Sequence, residues 1–179
     1  MRAETPVDLL LVEDNPGDIR LTQEALKEGS IPVNLSVAQD GAEAVDFLFR
    51  RGRYHNAPRP KLILLDLNLP RKSGREVLSE IKADPVLRRI PVVVMTTSTA
   101  EQDIARAYSL NANCYVAKPI DLDAFIEIVH SIEDFWLKKA ILPPLNSEQP
   151  ERPPAQTGPA STDKARYGFS ARSFGLAMS

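Results

Sequence analysis

Four apolar segments of this 179-residue chain each end in side chains that can bind metal ions or phosphate. Glu13 and Asp14 follow the first of these segments, Asp66 follows the second, Thr96 the third and Lys118 the last. In an open sheet of parallel strands, ligands bind beyond the carboxyl ends of the strands. We therefore expect these carboxylates, the hydroxyl and the ammonium to converge at one edge of such a sheet.

The residue types at this edge fit one kind of chemistry. Carboxylate oxygens are the ligands that Mg²⁺ prefers, and Glu13, Asp14 and Asp66 would repel one another without a cation. With the metal bound, Asp66 could act as a nucleophile that takes a phosphoryl group as an aspartyl phosphate. Lys118 would stabilise charge on the phosphoryl oxygens, and the Thr96 hydroxyl could donate a hydrogen bond to one of them.

The segments between these positions predict the fold. Apolar runs alternate with amphipathic stretches, and continuous apolar runs are typical of parallel strands that are buried on both faces. Five strand–helix units in series predict an α/β fold with a right-handed, doubly wound parallel sheet. The predicted strands are 8–12, 33–38, 62–65, 90–95 and 114–117.

Polar residues before the amphipathic stretches predict where the helices begin. Asp40 with Glu43 three residues later forms the pattern of a capping box for the second helix. Ser98 or Thr99 is the expected cap of the fourth helix, and Asp121 that of the fifth, which should continue to about residue 139.

Composition limits the class of protein. Lys and Arg number 22 against 24 Asp and Glu, so a dedicated nucleic-acid binder is disfavoured. The single Cys rules out an internal disulfide framework and a Cys-based metal site. The apolar runs are too short to span a membrane, and the first residues lack the apolar core of a signal peptide. We expect a cytoplasmic protein.

A change of composition near residue 143 predicts a domain boundary. Residues 143–179 contain six of the fifteen prolines and cannot bury enough apolar surface to order themselves. We therefore expect a folded domain over residues 1–142 and a Pro-rich, mostly disordered tail over 143–179.

Four motifs of the chain resemble those of a response-regulator receiver domain. They are residues 10–15 (LLVEDN), 65–70 (LDLNLP), 94–98 (VMTTS) and 117–119 (AKP), and the resemblance extends over about residues 6–140. It implies the flavodoxin-like receiver fold, in which five helices flank a five-stranded parallel sheet of order 2-1-3-4-5. It also implies that a partner histidine kinase phosphorylates Asp66 in the presence of Mg²⁺.

The same resemblance implies roles for further residues. The backbone carbonyl of Asn68 would be an additional Mg²⁺ ligand, and the Lys118–Pro119 peptide would be cis. On phosphorylation, Thr96 would move toward the phosphoryl group and Tyr115, as the switch aromatic, would turn inward behind it.

Other segments resemble a narrower group, the single-domain regulators that pair with bacterial, often cyanobacterial, phytochrome histidine kinases. These segments are 47–48, 52–54, 57–60, 113–115 and 132–137. The resemblance implies a regulator without an output domain, and several such regulators are dimeric. The last helix and the residues after it include Phe135, Trp136, Leu137 and Ile141. These side chains present more apolar surface than a short sheet can cover. We therefore expect a homodimer through this helix.

Three alternatives follow from the same residues. A receiver whose site is vestigial would act as a phosphorylation-independent interaction module, although the intact acids, Thr96 and Lys118 argue against this. A Mg²⁺-dependent phosphatase would usually have a second catalytic Asp at position 68, where this chain has Asn. A DNA-binding regulator would need a larger second domain than residues 143–179 can form. We expect a regulator rather than an enzyme with a separate substrate.

Overall fold

Five strands and five helices alternate along residues 5–144, the part of the chain that the computed structural model describes. All strand pairs are parallel and lie in the order β2-β1-β3-β4-β5, so the predicted doubly wound sheet is confirmed. The elements are β1 Val7–Val12, α1 Pro16–Glu28, β2 Val33–Ala38, α2 Gly41–Leu48, β3 Leu62–Leu65, α3 Gly74–Ala83, β4 Val92–Thr96, α4 Glu101–Ser109, β5 Cys114–Ala117 and α5 Leu122–Glu133. The expected tail lies outside the described residues beyond residue 144.

The three central strands form the floor on which the candidate site rests. Strands β3 and β4 are buried at every residue, as are the last four residues of β1. Side chains of a strand alternate between the two faces of the sheet, so Leu10 and Val12 enter one apolar core while Leu9 and Leu11 enter the other. Helices cover both faces, as a fully parallel sheet requires. None of the helices in residues 5–144 has the length and apolar character of a membrane span.

Helix α2 begins at its expected cap, but the capping box is only half formed. The Asp40 carboxylate accepts a hydrogen bond from the Glu43 backbone N–H. The Glu43 side chain accepts from the backbone N–H of Gln39 at 2.7 Å, one residue before the cap. A complete capping box occurs instead at α3, between Ser73 and Glu76, where the sequence analysis did not place one.

The expected cap of α4 is wrong. This helix begins at Glu101 after Ala100, and no side chain caps it. The Ser98 hydroxyl is directed elsewhere, because it donates a hydrogen bond of 2.6 Å to the Asp103 carboxylate within the first turn of the helix.

The last helix has its expected cap and extent, but its final turn changes geometry. The Asp121 carboxylate accepts from the Ala124 N–H, and the α-helix continues to Glu133 before a π-helical turn over Asp134–Lys139. In this turn Trp136 and Leu137 pack against the apolar core, so the expected excess of apolar surface is reduced to Phe135 and the fully exposed Ile141.

A buried carboxylate joins this last helix to the loop between α1 and β2. Glu133 is 2% exposed, and one of its oxygens accepts hydrogen bonds of 3.1 Å from the backbone N–H groups of both Ser30 and Ile31. A side chain at Gly29 would place its Cβ 2.0 Å from the other Glu133 oxygen, so any larger residue there would displace this carboxylate. The carboxylate thus fixes the loop that leads into the edge strand β2.

We expect Glu133→Ala to lower the free energy of unfolding by about 2–3 kcal/mol, because two backbone donors in the loop lose their acceptor. Urea unfolding followed by circular dichroism measures this change. The matched control is Glu127→Ala, an exposed position on the same helix, for which a change within about 0.5 kcal/mol is expected. Equal effects of the two substitutions would contradict the role assigned to Glu133.

Candidate functional site

The predicted site residues meet at the carboxyl ends of four adjacent strands. Glu13 and Asp14 follow β1, Asp66 follows β3, Thr96 is the last residue of β4, and Lys118 follows β5. These strands are neighbours in the sheet, so parallel pairing brings their ends side by side. The structure therefore brings together all the residues that the strand ends predicted.

The start of α3 packs closely over the end of β3. A side chain at Gly74 would place its Cβ 2.0 Å from the Asp66 carbonyl oxygen, so this approach requires glycine. The backbone N–H of Gly74 donates to the Leu67 carbonyl at 3.0 Å, which holds the turn after Asp66 in place.

The Lys118 ammonium is the centre of the site. Its side chain is only 4% exposed, and Nζ lies 2.8 Å from Asp66 Oδ2 and 2.9 Å from Asp18 Oδ2, with Glu13 Oε2 as a third close partner. Burial by itself lowers the pKa of Lys118, but its hydrogen bonds to Asp66, Glu13 and Asp18 outweigh this and hold the pKa above its ordinary value. The ammonium therefore stays charged at neutral pH and neutralises acids from three segments.

Glu13 has both carboxylate oxygens engaged. Oε2 pairs with Lys118, and Oε1 accepts a hydrogen bond of 3.0 Å from the Asn15 backbone N–H. Burial raises the pKa of Glu13, against the lowering effect of these two hydrogen bonds. Glu13 thus connects the end of β1 with Lys118, whereas the neighbouring Asp14 is exposed to solvent.

Asp66 is held from both sides. Its Oδ1 accepts a hydrogen bond of 3.0 Å from the Asn68 backbone N–H, while Oδ2 faces Lys118. Asp66 is buried, with 6% of the residue exposed. The Asn68 side chain extends to the Thr96 hydroxyl, with 3.4 Å between Nδ2 and Oγ1, and Thr96 is fully buried.

Three carboxylates of the site fit a hard divalent cation. Ligand oxygens of Glu13, Asp14 and Asp66 lie within 4.8 Å of one another. An all-oxygen donor set with one exposed carboxylate is the kind that Mg²⁺ prefers, because this ion keeps several of its waters. The chemistry of the donor set is therefore compatible with the predicted metal.

A second polar network extends from the site along the sheet. The Tyr115 hydroxyl donates to the Ser98 carbonyl at 2.9 Å, and the Ser98 hydroxyl donates to Asp103. The other Asp103 oxygen lies 2.5 Å from the guanidinium of Arg75 at the start of α3. Tyr115 is half-buried, and burial raises the pKa of its hydroxyl. This network joins β5, the β4–α4 loop, α4 and α3.

Sequence reasoning missed Asp18, Arg75 and Asp103. An acid in the first turn of α1 favours the helix dipole, so its type alone gave no reason to place Asp18 beside Lys118. One expectation from the resemblance is also wrong, since the structure has no cis peptide within residues 5–144 and the Lys118–Pro119 bond is trans. The trans form is the lower in free energy for most X–Pro bonds.

The similarity of this chain to known proteins covers most of the domain described above. A family model described as the response regulator receiver domain matches residues 9–130. The response regulator Rcp1 of Synechocystis sp. is 52% identical over 138 residues, which are 77% of this chain and 94% of that protein.

Two solved structures are similar at the same level. The phosphorylated cyanobacterial phytochrome response regulator RcpA is 53% identical, with a TM-score of 0.77, and the match covers 78% of this chain and 100% of that one. The Mn²⁺-bound form of Rcp1 is 52% identical, with a TM-score of 0.76 and the same coverage. The resemblance to receiver domains, and to phytochrome-linked regulators among them, is confirmed.

We expect Lys118→Met to lower the free energy of unfolding by about 3 kcal/mol or more, because three acids would lose their common counter-charge. Chemical denaturation at neutral pH without divalent cations measures this. Lys139→Met is the matched control, since Lys139 makes an exposed ion pair with Asp134 and its loss should leave the denaturation midpoint almost unchanged. A variant at position 118 as stable as the wild type would show that Lys118 does not balance the acids.

Proposed function

The chain belongs to the response regulator receiver family, and from that premise we propose that it is a regulator that accepts a phosphoryl group on Asp66 from a sensor histidine kinase. The observation that carries the proposal is the Asp66 carboxylate, held between Lys118 and the Asn68 backbone N–H beside two further acids. The similarity of the chain to response regulators of phytochrome systems supports a phytochrome-type histidine kinase as the partner.

The residues of the site support the transfer step as follows. A carboxylate oxygen of Asp66 forms a bond to phosphorus while the bond from phosphorus to the donor nitrogen of a phosphohistidine breaks, and that nitrogen keeps the electron pair. The hydrogen bonds from Asn68 and Lys118 fix the carboxylate for this attack. As negative charge collects on the phosphoryl oxygens, the Lys118 ammonium stabilises it.

Glu13, Asp14 and Asp66, with the Asn68 backbone carbonyl, would hold the divalent cation, which we propose to be Mg²⁺. When bound, the cation neutralises charge on the phosphoryl oxygens. Asp14 is the exposed member of the set and supplies the most accessible ligand, whereas Glu13 is already engaged by Lys118 and the Asn15 N–H. The extra methylene of Glu13 is consistent with binding through a water molecule.

Thr96 and Tyr115 would report the phosphorylation. Thr96 lies at the end of β4 and would donate its hydroxyl to a phosphoryl oxygen in place of its contact with Asn68. Tyr115 would turn inward behind it, which breaks the hydrogen bond to the Ser98 carbonyl. Phosphorylation would then shift a pre-existing equilibrium and change the surface formed by α4, β5 and α5.

The expected role is that of a signalling protein in the cytoplasm. It would act as a regulator rather than an enzyme with a separate substrate, and its output would be a changed interaction surface. We also propose a homodimer through the last helix, supported by Phe135, which is 54% exposed, and by the exposed Leu122 at the other end of α5.

Incubation with acetyl phosphate and Mg²⁺ should give a single phosphoryl adduct on the wild type and none on Asp66→Asn, because the amide is a far weaker nucleophile. Intact-protein mass spectrometry measures the adduct. Asp123→Asn, an exposed acid in the first turn of α5, should be modified like the wild type. No adduct with acetyl phosphate or with a phytochrome-type histidine kinase as donor would overturn the proposal and favour a vestigial receiver.

Asp14→Asn should weaken Mg²⁺ binding by at least about tenfold, since loss of even an outer-shell partner commonly costs that much. Calorimetric titration of the full chain with MgCl₂ gives the dissociation constant directly. Asp123→Asn again serves as the control of equal charge change. Unchanged affinity in the Asp14 variant would exclude this carboxylate as a ligand.

Sedimentation velocity at tens of micromolar should show a dimer for the wild type and a monomer for Phe135→Ala. Tyr108→Ala is the matched control, because Tyr108 is 49% exposed on α4 and lies outside the proposed interface. A strict monomer of the wild type, both unphosphorylated and with a phosphoryl analogue bound, would sink the dimer proposal.

A further inference from the structure

The segment that joins α2 to β3 is strongly basic. Residues 49–61 contain five Arg or Lys residues and no Asp or Glu, although acids outnumber bases in residues 1–142. We call this segment the basic loop; its cations are Arg50, Arg51, Arg53, Arg59 and Lys61. Within residues 5–144, Arg53 is the only one of them with a carboxylate ion-pair partner, Glu43 at 2.6 Å.

The basic loop is held firmly against α2. The Tyr54 ring packs edge-on against Phe47, with 5.5 Å between ring centroids, and its hydroxyl donates to the Glu43 carboxylate. At the other end of the loop, the Arg59 guanidinium donates to the Leu48 carbonyl at the end of α2. The loop is therefore anchored to α2 at both ends, so little backbone entropy would be lost when it binds a ligand.

A groove of about 600 Å³ opens beside this loop, at the amino ends of β1 and β3. This is the opposite end of the strands from Asp66. The groove is lined by three cations of the loop, Arg50, Arg59 and Lys61. It is also lined by one acid, Asp8, whose Oδ1 already accepts a hydrogen bond from Asn34. The remaining walls are apolar, formed by Val7, Pro58, Leu137, Leu142, Pro143 and Pro144.

Two features of Arg50 are unfavourable for the chain alone. Its φ is 56°, in the left-handed region, which glycine would adopt without cost. It also lies near Arg59: burial lowers the pKa of Arg59 and the charge of Arg50 lowers it further, against the smaller raising effect of Asp84. Backbone strain at a charged residue beside a like charge is typical of binding sites, where a ligand offsets the cost. A bound anion would remove the repulsion between the two guanidinium groups.

We propose that this groove binds a peptide segment of a partner protein that carries both acidic and aliphatic side chains. Carboxylates of the peptide pair with Arg50, Arg59 and Lys61, because guanidinium groups match the geometry of a carboxylate. Its aliphatic side chains pack against Leu137 and Leu142.

The shape and the lining of the groove favour a peptide over other anions. A membrane surface cannot enter a concave groove, and a nucleic-acid backbone gains nothing from the apolar walls beside the cations. The groove volume is in the range of pockets that hold ligands of a few residues. Docking here would leave the Asp66 end of the sheet accessible to a kinase.

The test is selection of peptides from a random library displayed on phage, with the full chain as bait. Selected peptides should combine Asp or Glu with Leu, Ile or Val. Fluorescence anisotropy of a selected peptide should show binding weakened by about fivefold or more in Arg50→Gly, as expected for loss of one charge pair. Glycine removes the cation but suits the left-handed backbone, so this variant should be at least as stable as the wild type.

Two controls make the test specific. Arg106→Ala, an exposed arginine on α4, should bind the peptide like the wild type, and Lys61→Ala should weaken binding as Arg50→Gly does. Selection of peptides without acidic residues, or equal binding by Arg50→Gly, would overturn the proposal. The proposal would also be overturned if the chain bound phosphatidylserine vesicles or single-stranded DNA more tightly than the selected peptides, and if only the Arg50 and Lys61 variants lost this binding.

Discussion

Carboxylates that crowd the end of a buried sheet can remain ionised together only if a positive charge lies among them. In this domain that charge is the Lys118 ammonium, which contacts Glu13, Asp18 and Asp66 at once. The attraction of Lys118 to Glu13 and Asp66 is strong because these side chains are largely withdrawn from water, whereas Asp18 is partly exposed. The arrangement of these acids therefore depends on one side chain, Lys118, which directly follows the last strand.

The parallel sheet makes this arrangement possible. Each strand of the central part is buried along its length, so the chain emerges into solvent only at the strand ends, where polar residues become tolerable. At the same end of the sheet, hydrogen bonds connect Tyr115 through Ser98 to Asp103, which forms an ion pair with Arg75. This network joins the β4–α4 loop to helices α3 and α4 beside the strand ends.

The strands and helices along the chain and the five polar residues at the strand ends were predictable, because apolar runs and the residue after each run are local features. The order of the strands within the sheet was predictable only from the resemblance to receiver domains. Asp66 is the first polar residue after the buried strand β3, and Lys118 is the first after the partly exposed strand β5. Asp18 was not predictable, since only the approach of α1 to the end of β5 gives it a role. Ser98 does not cap the helix because its hydroxyl donates instead to Asp103, five residues further along the chain. Trp136 was placed at the surface because a π-helical turn, which has no simple sequence pattern, directs it to the core.

The ion cluster also has a consequence for how the protein is made. Glu13, Asp18 and Asp66 leave the ribosome well before Lys118, and more than fifty residues separate Asp66 from its counter-charge. Contacts of such long range form late, since the intervening chain must first be ordered. A nascent chain that ends before β5 carries these acids without the Lys118 ammonium that contacts them in the folded domain. The complete ion cluster can therefore form only after the last strand of the sheet and Lys118, which follows it, have been synthesised.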